Sequence, residues 1–510
     1  MNYTQISSNT KMQFPCIDKL ETREVELAQK NKNEEDLFLD FVSGYEVFRH
    51  DKPFALSYGG ILPSFKIAYE SWGKLNSDRS NAILLHTGLS ASSHAKSHPK
   101  NTKPGWWEAF IGPGLAIDTD KYFVMCTNVI GGCYGSTGPS SINETTNERY
   151  GSTFPIVTIN DMIRAQFILL DSLNIKKLHA SVGSSMGGMQ SLAAAALFPD
   201  RVGKLVSISA CALSHPYSIA LRFAQRQVLM TDPNFKRGNY YDSNPPHVGM
   251  KLARQISTVT YRSGPEWEMR FGRSRSHPTT TPALCPDFLV ETYIDHKSEA
   301  FCLKYDANSL LYVSKAMDMF DISKSATDRL TSGYLKTLAN IKTSNDEHSP
   351  SSENNGKGDN HSTVNLESSS DNGADVNTYA NPQNSQLNDP SMYKLNDSHL
   401  NSQANTPAPN QIKGDVDGSS ATNSRETQDD INLDLIAGVK NVMMPSLILG
   451  VQTDILFPSA QQKQIASLLR SAGNKNVTYY EIDSIYGHDT FLIDVVNVGA
   501  AIKGHLEHSQ

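Results

Sequence analysis

The sequence predicts an α/β protein with a mostly parallel sheet and helices on both faces. Short apolar runs alternate with longer segments of helical spacing, which is typical of strands buried on both faces and joined by right-handed crossovers. Asn160–Leu173 is one such helical segment, with Asn160 and Asp161 as candidate capping residues. The apolar runs are Ala82–His86, Tyr122–Cys126, Leu178–Val182, Leu205–Ile208 and Ser446–Leu449.

Composition divides the 510 residues into five segments. Residues 1–42 are polar and form an N-terminal extension, and residues 43–211 carry the first part of the α/β core. Residues 212–342 lack core strands and predict an inserted helical lid. Residues 343–430 are rich in Asn, Ser, Asp and Gly, and we expect them to be disordered because they bury too little apolar surface to offset chain entropy. Residues 431–510 complete the core.

Bulk properties exclude several classes of protein. The formal net charge of −7 argues against a nucleic-acid-binding protein. No apolar run approaches the roughly 18 residues of a membrane span, and the N-terminal stretch lacks the apolar core of a secretory signal, so we expect a cytoplasmic protein. The cysteines are scattered without a C-x-x-C pair, so they predict no metal site.

The residues Gly183–Gly187 match G-x-S-x-G and lie between an apolar run and an alanine-rich helical segment. A sharp strand–turn–helix elbow holds such a serine in a strained conformation at a helix N-terminus, where free amides stabilise an oxyanion. A plain Gly/Ser turn is the alternative interpretation. The setting favours Ser185 as a nucleophile.

A nucleophilic serine needs a histidine base and an orienting carboxylate, which on such folds follow later strands in the order acid, then histidine. Asp454 follows the strand that starts at Ser446, and His488 follows the predicted strand Val477–Ile482. Taken singly, these residues could be a turn aspartate and a surface histidine. Their order and placement predict a triad with Ser185.

Stabilising the oxyanion requires two backbone amides. The N–H of Met186 follows the nucleophile directly, and Leu89 lies in the loop after the early strand Ala82–His86. We therefore expect the N–H groups of Leu89 and Met186 to form the oxyanion hole.

Longer motifs resemble the homoserine O-acetyltransferase family over roughly residues 45–340 and 431–500. They are Pro104–Trp107, Ile111–Asp120, Asn128–Pro139, Ser185–Gln190, Asp306–Asn308, Ala316–Asp318 and Gly487–Asp489. The resemblance implies an α/β-hydrolase fold with a helical lid and a homodimer formed through that lid. The resemblance implies a fungal-type member, and Ser184, which replaces a glycine common in the family, indicates a divergent branch.

The resemblance also implies the activity. The acetyl group of acetyl-CoA would pass to the hydroxyl of L-homoserine through an acetyl-serine intermediate, in a step of methionine biosynthesis. Acetyl-CoA would be a co-substrate, with no metal or prosthetic group. Arg254 would hold the substrate α-carboxylate and Asp489 its α-amino group. A salt-bridged helix residue is the alternative for Arg254, and Arg222 and Arg226 are rival carboxylate ligands.

Other functions stay open at this point. The motifs do not separate acetyl-CoA from succinyl-CoA or homoserine from serine, because one side chain of a pocket can decide each choice. An ester or thioester hydrolase on the same fold is a further alternative. A non-enzymatic scaffold, with the polar tract as its interaction element, is the alternative outside catalysis.

Overall fold

The computed structural model describes residues 42–282, 284–302, 304–346 and 427–508, which belong to one compact unit. The predicted extension, except for Val42, lies outside the described residues. So does the predicted insertion 343–430, except at its edges, where helices extend to Asp346 and begin at Gln428.

Eight strands form the central sheet, in the order β1-β2-β4-β3-β5-β6-β7-β8. Strand β2 is antiparallel to both of its neighbours, and β3 to β8 run parallel. The strands are β1 (Glu46–His50), β2 (Phe65–Trp72), β3 (Ala82–His86), β4 (Phe123–Thr127), β5 (Ala180–Ser184), β6 (Leu205–Ile208), β7 (Ser446–Val451) and β8 (Val477–Ile482).

Three two-residue ribbons lie outside this sheet. They pair Phe54–Ala55 with Ile61–Leu62, Ile111–Gly112 with Ile117–Asp118, and Ile142–Asn143 with Glu148–Arg149.

Helices cover both faces of the sheet, as the sequence predicts. On one face, Ile163 and Phe167 pack with the following helix into the larger apolar cluster. On the other face, Val498 and Ile502 pack against the strands. The core helices are α1 (Ile159–Ser172), α2 (Met186–Leu197), α9 (Gln428–Gly438), α10 (Ser459–Ser471), α11 (Thr490–Ile493) and α12 (Val495–Glu507).

The first helix begins one residue earlier than the sequence suggests. Thr158 is its N-cap and forms a capping box with Asp161, in which each side chain accepts a hydrogen bond from the other's backbone N–H. The prediction of Asn160 as a cap is wrong, because Asn160 lies inside the first turn. Asp161 does take part in the cap.

Six of the seven described α-helices between β6 and β7 form the inserted lid, and Leu229, Tyr240 and Met250 belong to a separate small apolar cluster there. None of the described helices is long and apolar enough to cross a membrane. The lid helices are α3 (Pro216–Met230), α4 (His247–Thr260), α5 (Gly264–Phe271), α6 (Leu289–Cys302), α7 (Ala307–Asp318) and α8 (Lys324–Asp346).

The register of the central strands brings three chain segments to one edge of the sheet. Gly183 on β5 pairs with His86 on β3, and Ser184 pairs with Ile208 on β6. Because these strands are parallel, the loops that leave their carboxyl ends meet above the same edge, which is where open α/β sheets bind ligands.

Candidate functional site

Ser185 occupies a sharp turn between β5 and α2. Its backbone has φ 58° and ψ −126°, a conformation that L-residues rarely adopt. The turn is tight enough that a Cβ on Gly183 would lie 2.1 Å from the Gly187 carbonyl oxygen, and one on Gly187 would lie 2.4 Å from that of His86. Glycine is therefore required on both sides of the serine, as the elbow motif predicts.

Asp454 and His488 form a buried hydrogen-bonded pair. The Nδ1 of His488 lies 2.7 Å from Oδ2 of Asp454. The other carboxylate oxygen accepts hydrogen bonds from the N–H groups of Leu456, at 3.0 Å, and Phe457, at 2.8 Å. The two backbone N–H groups hold the carboxylate in place. Because an ionised carboxylate only accepts hydrogen bonds, the proton of the His488 imidazole lies on Nδ1 and the lone pair on Nε2.

The His488 ring lies between two aromatic side chains, stacked on Phe457 and edge-on to Phe491. Burial lowers the pKa of His488, but the charge and the hydrogen bond of Asp454 and the charge of Asp489 raise it, and the net pKa lies above 6.5. Its Nε2 is buried without a hydrogen-bond partner among the described residues. That nitrogen is therefore available to take a proton.

Ser185 and His488 line the same cavity of about 440 Å³, between the sheet edge and the lid. The described lining contains one carboxylate, Asp489, against four cationic side chains. This excess of positive charge favours anionic ligands. The cations are Arg222, Arg254, Arg262 and Lys297.

The two predicted oxyanion donors are available for hydrogen bonding. Met186 opens α2, so its N–H has no acceptor within the helix. The N–H of Leu89 makes no hydrogen bond to any described residue. The side chain of Gln190 donates to the Thr87 carbonyl at 2.9 Å, which ties the Leu89 loop to α2. On the lid side, the Tyr305 hydroxyl donates to the Leu89 carbonyl at 2.8 Å.

Arg254 and Asp489 both line the cavity, but their environments differ. The Arg254 guanidinium lies over the rings of Tyr261 and Phe301 and forms no ion pair with a described residue. Asp489 is paired with Arg262, at 3.2 Å, and burial raises the pKa of Asp489 against the lowering effect of that cation. Arg254 is thus available for an anion, whereas Asp489 already has one cationic partner.

Arg222 and Arg226, the alternative candidates for binding the substrate carboxylate, share one carboxylate on α7. Arg222 donates from Nε to one oxygen of Asp318, and Arg226 donates from Nη2 to the other, each at 2.5 Å. Arg222 lines the cavity and Arg226 does not.

The sequence did not predict the contacts between the lid and the loops that carry Asp454 and His488. Ser218 on α3 donates to the Leu456 carbonyl at 3.0 Å, and Ser263 donates to the Ile485 carbonyl. The only sequence signal is the S-x-x-E pattern of Ser263 and Glu266, which marks the start of α5 and says nothing about the Ile485 contact. The lid is thereby anchored to the loops that carry Asp454 and His488.

Three described residues outside the cavity lining have the ligand types of a metal site. Glu70, His94 and His98 each offer one atom within 4.8 Å of the others. Both histidines hydrogen-bond to Glu70, at 2.8 and 2.7 Å, and the second nitrogen of His94 lies 2.7 Å from the Lys103 carbonyl. Hydrogen bonding accounts for this cluster without an ion.

Comparison with known proteins places these features in context. Residues 81–495 match the family described as alpha/beta hydrolase fold. Serine O-succinyltransferase of Emericella nidulans is 52% identical over 505 residues, covering 98% of this chain and 89% of the relative. Serine O-succinyltransferase of Schizosaccharomyces pombe is 48% identical over 532 residues, covering 99% of this chain and 96% of the relative. The crystal structure of homoserine O-acetyltransferase from Bacillus anthracis has a TM-score of 0.64 at 22% identity, and the match covers 91% of this chain and 98% of that structure's chain.

These relatives correct the activity that the sequence motifs suggest. The resemblance to homoserine O-acetyltransferases predicts acetyl transfer from acetyl-CoA to homoserine for methionine biosynthesis, and this prediction is wrong. The relatives that match nearly the whole chain at about half identity carry a different name, whereas the homoserine enzyme matches at an identity that shows the fold alone. The motifs misled because they lie in the elbow, in the loops around it and in the lid, whereas one pocket side chain outside them can decide the substrate. The coarser inference of an acyl-CoA and an amino acid as substrates is confirmed.

Proposed function

Because the chain belongs to the serine O-succinyltransferases of the α/β-hydrolase fold, we propose that it transfers the succinyl group of succinyl-CoA to the hydroxyl of L-serine. The likeness to the named relatives along almost the whole chain carries the choice of substrates. The product is O-succinyl-L-serine, an activated serine whose β-carbon bears a good leaving group, suited to displacement by a sulfur nucleophile in cysteine biosynthesis.

The first half of the reaction loads the enzyme. His488 Nε2 accepts the proton of the Ser185 hydroxyl, and the serine oxygen attacks the thioester carbonyl carbon. The N–H groups of Leu89 and Met186 stabilise the oxyanion. The carbon–sulfur bond breaks, CoA leaves with the proton from His488, and a succinyl ester remains on Ser185.

The second half transfers the group. The substrate serine binds with its α-carboxylate on Arg254 and its α-amino group at Asp489. His488 takes the proton of the substrate hydroxyl, whose oxygen attacks the ester carbonyl carbon, and the proton then returns to Ser185. Asp454 orients the imidazole and stabilises its charged form in both halves. Positioning the substrate hydroxyl in place of water favours transfer over hydrolysis.

Support for these roles comes from the fixed Asp454–His488 pair, the unpartnered Nε2 and the elbow serine on one cavity. The role of Arg254 is supported by its guanidinium, which lines the cavity and forms no ion pair with a described residue. The homodimer formed through the lid and the cytoplasmic location stay predictions.

The test offers the purified chain two donors, succinyl-CoA and acetyl-CoA, and three acceptors, serine, homoserine and water. We expect succinyl-CoA with serine to give the highest kcat/KM, with O-succinylserine identified by mass. Brief exposure to succinyl-CoA without acceptor should add one succinyl mass to the peptide that contains Ser185, and Ser185→Ala should not acquire it. Preferred use of acetyl-CoA or of homoserine would contradict the proposal.

A further inference from the structure

Arg222 lines the catalytic cavity but has no role in the acyl-transfer steps. It lies on lid helix α3, and 3% of its surface is exposed. Its Nε donates to Asp318 and its Nη2 donates to the Ser214 hydroxyl at 3.3 Å. Its Nη1 is buried without a hydrogen-bond partner among the described residues. A buried guanidinium N–H without an acceptor is unfavourable, so this nitrogen is a candidate hydrogen-bond donor to a ligand bound in the cavity.

Charge leads to the same conclusion. Arg222 and Arg226 share the single carboxylate of Asp318, and neither forms an ion pair with another described residue. All three side chains are largely buried, so the group carries one uncompensated positive charge beside the cavity. Buried charges in proteins are paired, and an anion bound in the cavity would complete the pairing.

Arg226 provides an internal comparison. It uses the other oxygen of the same carboxylate, and its Nη1 donates to the Ser314 hydroxyl at 3.2 Å. It does not line the cavity, and its guanidinium contains no buried nitrogen without a partner. The contacts of Arg226 are therefore all explained by a structural role in holding α3 against α7. The same role does not explain the unpartnered Nη1 of Arg222.

We propose that Arg222 binds the distal carboxylate of the acyl group and so selects a dicarboxylic acyl-CoA over acetyl-CoA. The inference rests on the proposed function and identifies the residue that recognises its donor. A succinyl group carries a carboxylate two methylenes beyond the thioester carbonyl, and an acetyl group has no atoms at that position. The Nη1–H of Arg222 donates to that carboxylate, and the positive charge of the Arg222–Asp318–Arg226 group is balanced. Arg254 stays free for the serine carboxylate.

The experiment compares the ratio of kcat/KM for succinyl-CoA to that for acetyl-CoA at saturating serine. The proteins are the wild type, Arg222→Gln, Arg222→Lys and Arg226→Gln, each checked for folding by thermal melting. In Arg222→Gln we expect this ratio to fall about 100-fold, through a higher KM for succinyl-CoA, because a buried charge partner is lost. Arg222→Lys should recover part of the ratio. Arg226→Gln removes the excess positive charge of the group but keeps the Nη1–H of Arg222, so it should lower the ratio much less than Arg222→Gln does.

A purely bracing role for Arg222 would lower the turnover of both donors together and leave the ratio constant, which would overturn the inference. A second measurement uses only the wild type and so does not depend on folding of a variant. Butyryl-CoA has the same chain length as succinyl-CoA, with a methyl group in place of the carboxylate. Equal use of butyryl-CoA and succinyl-CoA would also overturn the inference. Wild-type preference for acetyl-CoA would instead contradict the proposed function itself.

Discussion

The imidazole of His488 donates to the carboxylate of Asp454 across 2.7 Å, and the carboxylate is held in turn by two backbone N–H groups. These contacts leave Asp454 no freedom to rotate. The geometry therefore sets both the tautomer of His488 and the direction in which its Nε2 faces.

This pairing predicts the acid side of the pH–rate profile. Below its pKa, His488 is protonated and cannot accept the Ser185 proton, so the rate should rise with pH through the pKa of His488, which lies above 6.5. Asp454→Asn removes the larger of the two charges that raise the pKa of His488 and leaves burial opposed only by the charge of Asp489, so the midpoint should move to lower pH while kcat falls about 10⁴-fold. Asp483→Asn, an exposed carboxylate between β8 and His488, is the matched control. An unmoved midpoint in Asp454→Asn would contradict the assignment.

The same shift has a consequence for stability. A histidine whose pKa is higher in the folded protein than in the unfolded chain stabilises the fold in its charged form. That contribution is fully present below the unfolded pKa of about 6.5 and is lost as the pH rises through the folded pKa. In Asp454→Asn the fall in stability as the pH rises above about 6.5 should disappear, because the pKa of His488 in the folded variant no longer lies above that of the unfolded chain; chemical denaturation at several pH values measures it.

The backbone of Ser185 predicts a trade-off between stability and activity. Glycine adopts φ 58° and ψ −126° readily, whereas alanine carries the same strain as serine. We expect Ser185→Gly to have a free energy of unfolding about 1 kcal/mol higher than Ser185→Ala, with strain relief partly offset by unfolded-chain entropy. Both variants should lose about 10⁶-fold in kcat. Urea denaturation of the two inactive proteins is the measurement, and a less stable glycine variant would refute the strain argument.

The Tyr305 hydroxyl predicts a contribution of the lid to the oxyanion hole. Tyr305→Phe removes the hydrogen bond to the Leu89 carbonyl and loosens the loop that presents the Leu89 N–H. Because the donor is displaced but retained, we expect kcat to fall about 10-fold, less than the loss of a whole donor, with little change in KM. Tyr312→Phe removes a comparable bond to the Ser152 carbonyl outside the site and should leave kcat unchanged. Equal effects of the two variants would indicate general destabilisation.

Arg254 predicts how the acceptor binds. In Arg254→Gln we expect the KM for serine to rise about 100-fold, because a charged hydrogen-bond partner of the carboxylate is lost. The KM for succinyl-CoA should change little. Lys297→Gln removes another cation from the same cavity lining and controls for the general positive charge. A larger effect of the lysine variant on the KM for serine would exclude Arg254 as the carboxylate ligand.

Local sequence patterns predicted the structure correctly where a residue type is required by the backbone conformation itself. The strand at Ala82–His86 has the predicted bounds, and the elbow glycines are required by contacts closer than 2.5 Å. The helix cap at Thr158 was missed because Asn160 and Asp161, two and three positions later, are at least as good capping residues.

The substrates were misjudged for a different reason. The motifs that resemble homoserine O-acetyltransferases lie in the elbow, the surrounding loops and parts of the lid, and the choice of acyl group can depend on one side chain outside them. Arg222 is a single side chain outside those motifs, and it appeared in the sequence only as one of three arginines that could hold a carboxylate.

The sequence by itself determined the α/β class, the succession of the buried strands along the chain and the loops that carry Ser185, Asp454 and His488, because each depends on a short stretch of chain. Only the tertiary structure decided that Arg222 and Arg226 share Asp318, that Arg254 forms no ion pair within the described part of the chain and that Asp489 is paired with Arg262. Such pairings join residues far apart in the chain. Each cation takes the carboxylate that the packing of the lid brings within reach, and no local pattern encodes that distance.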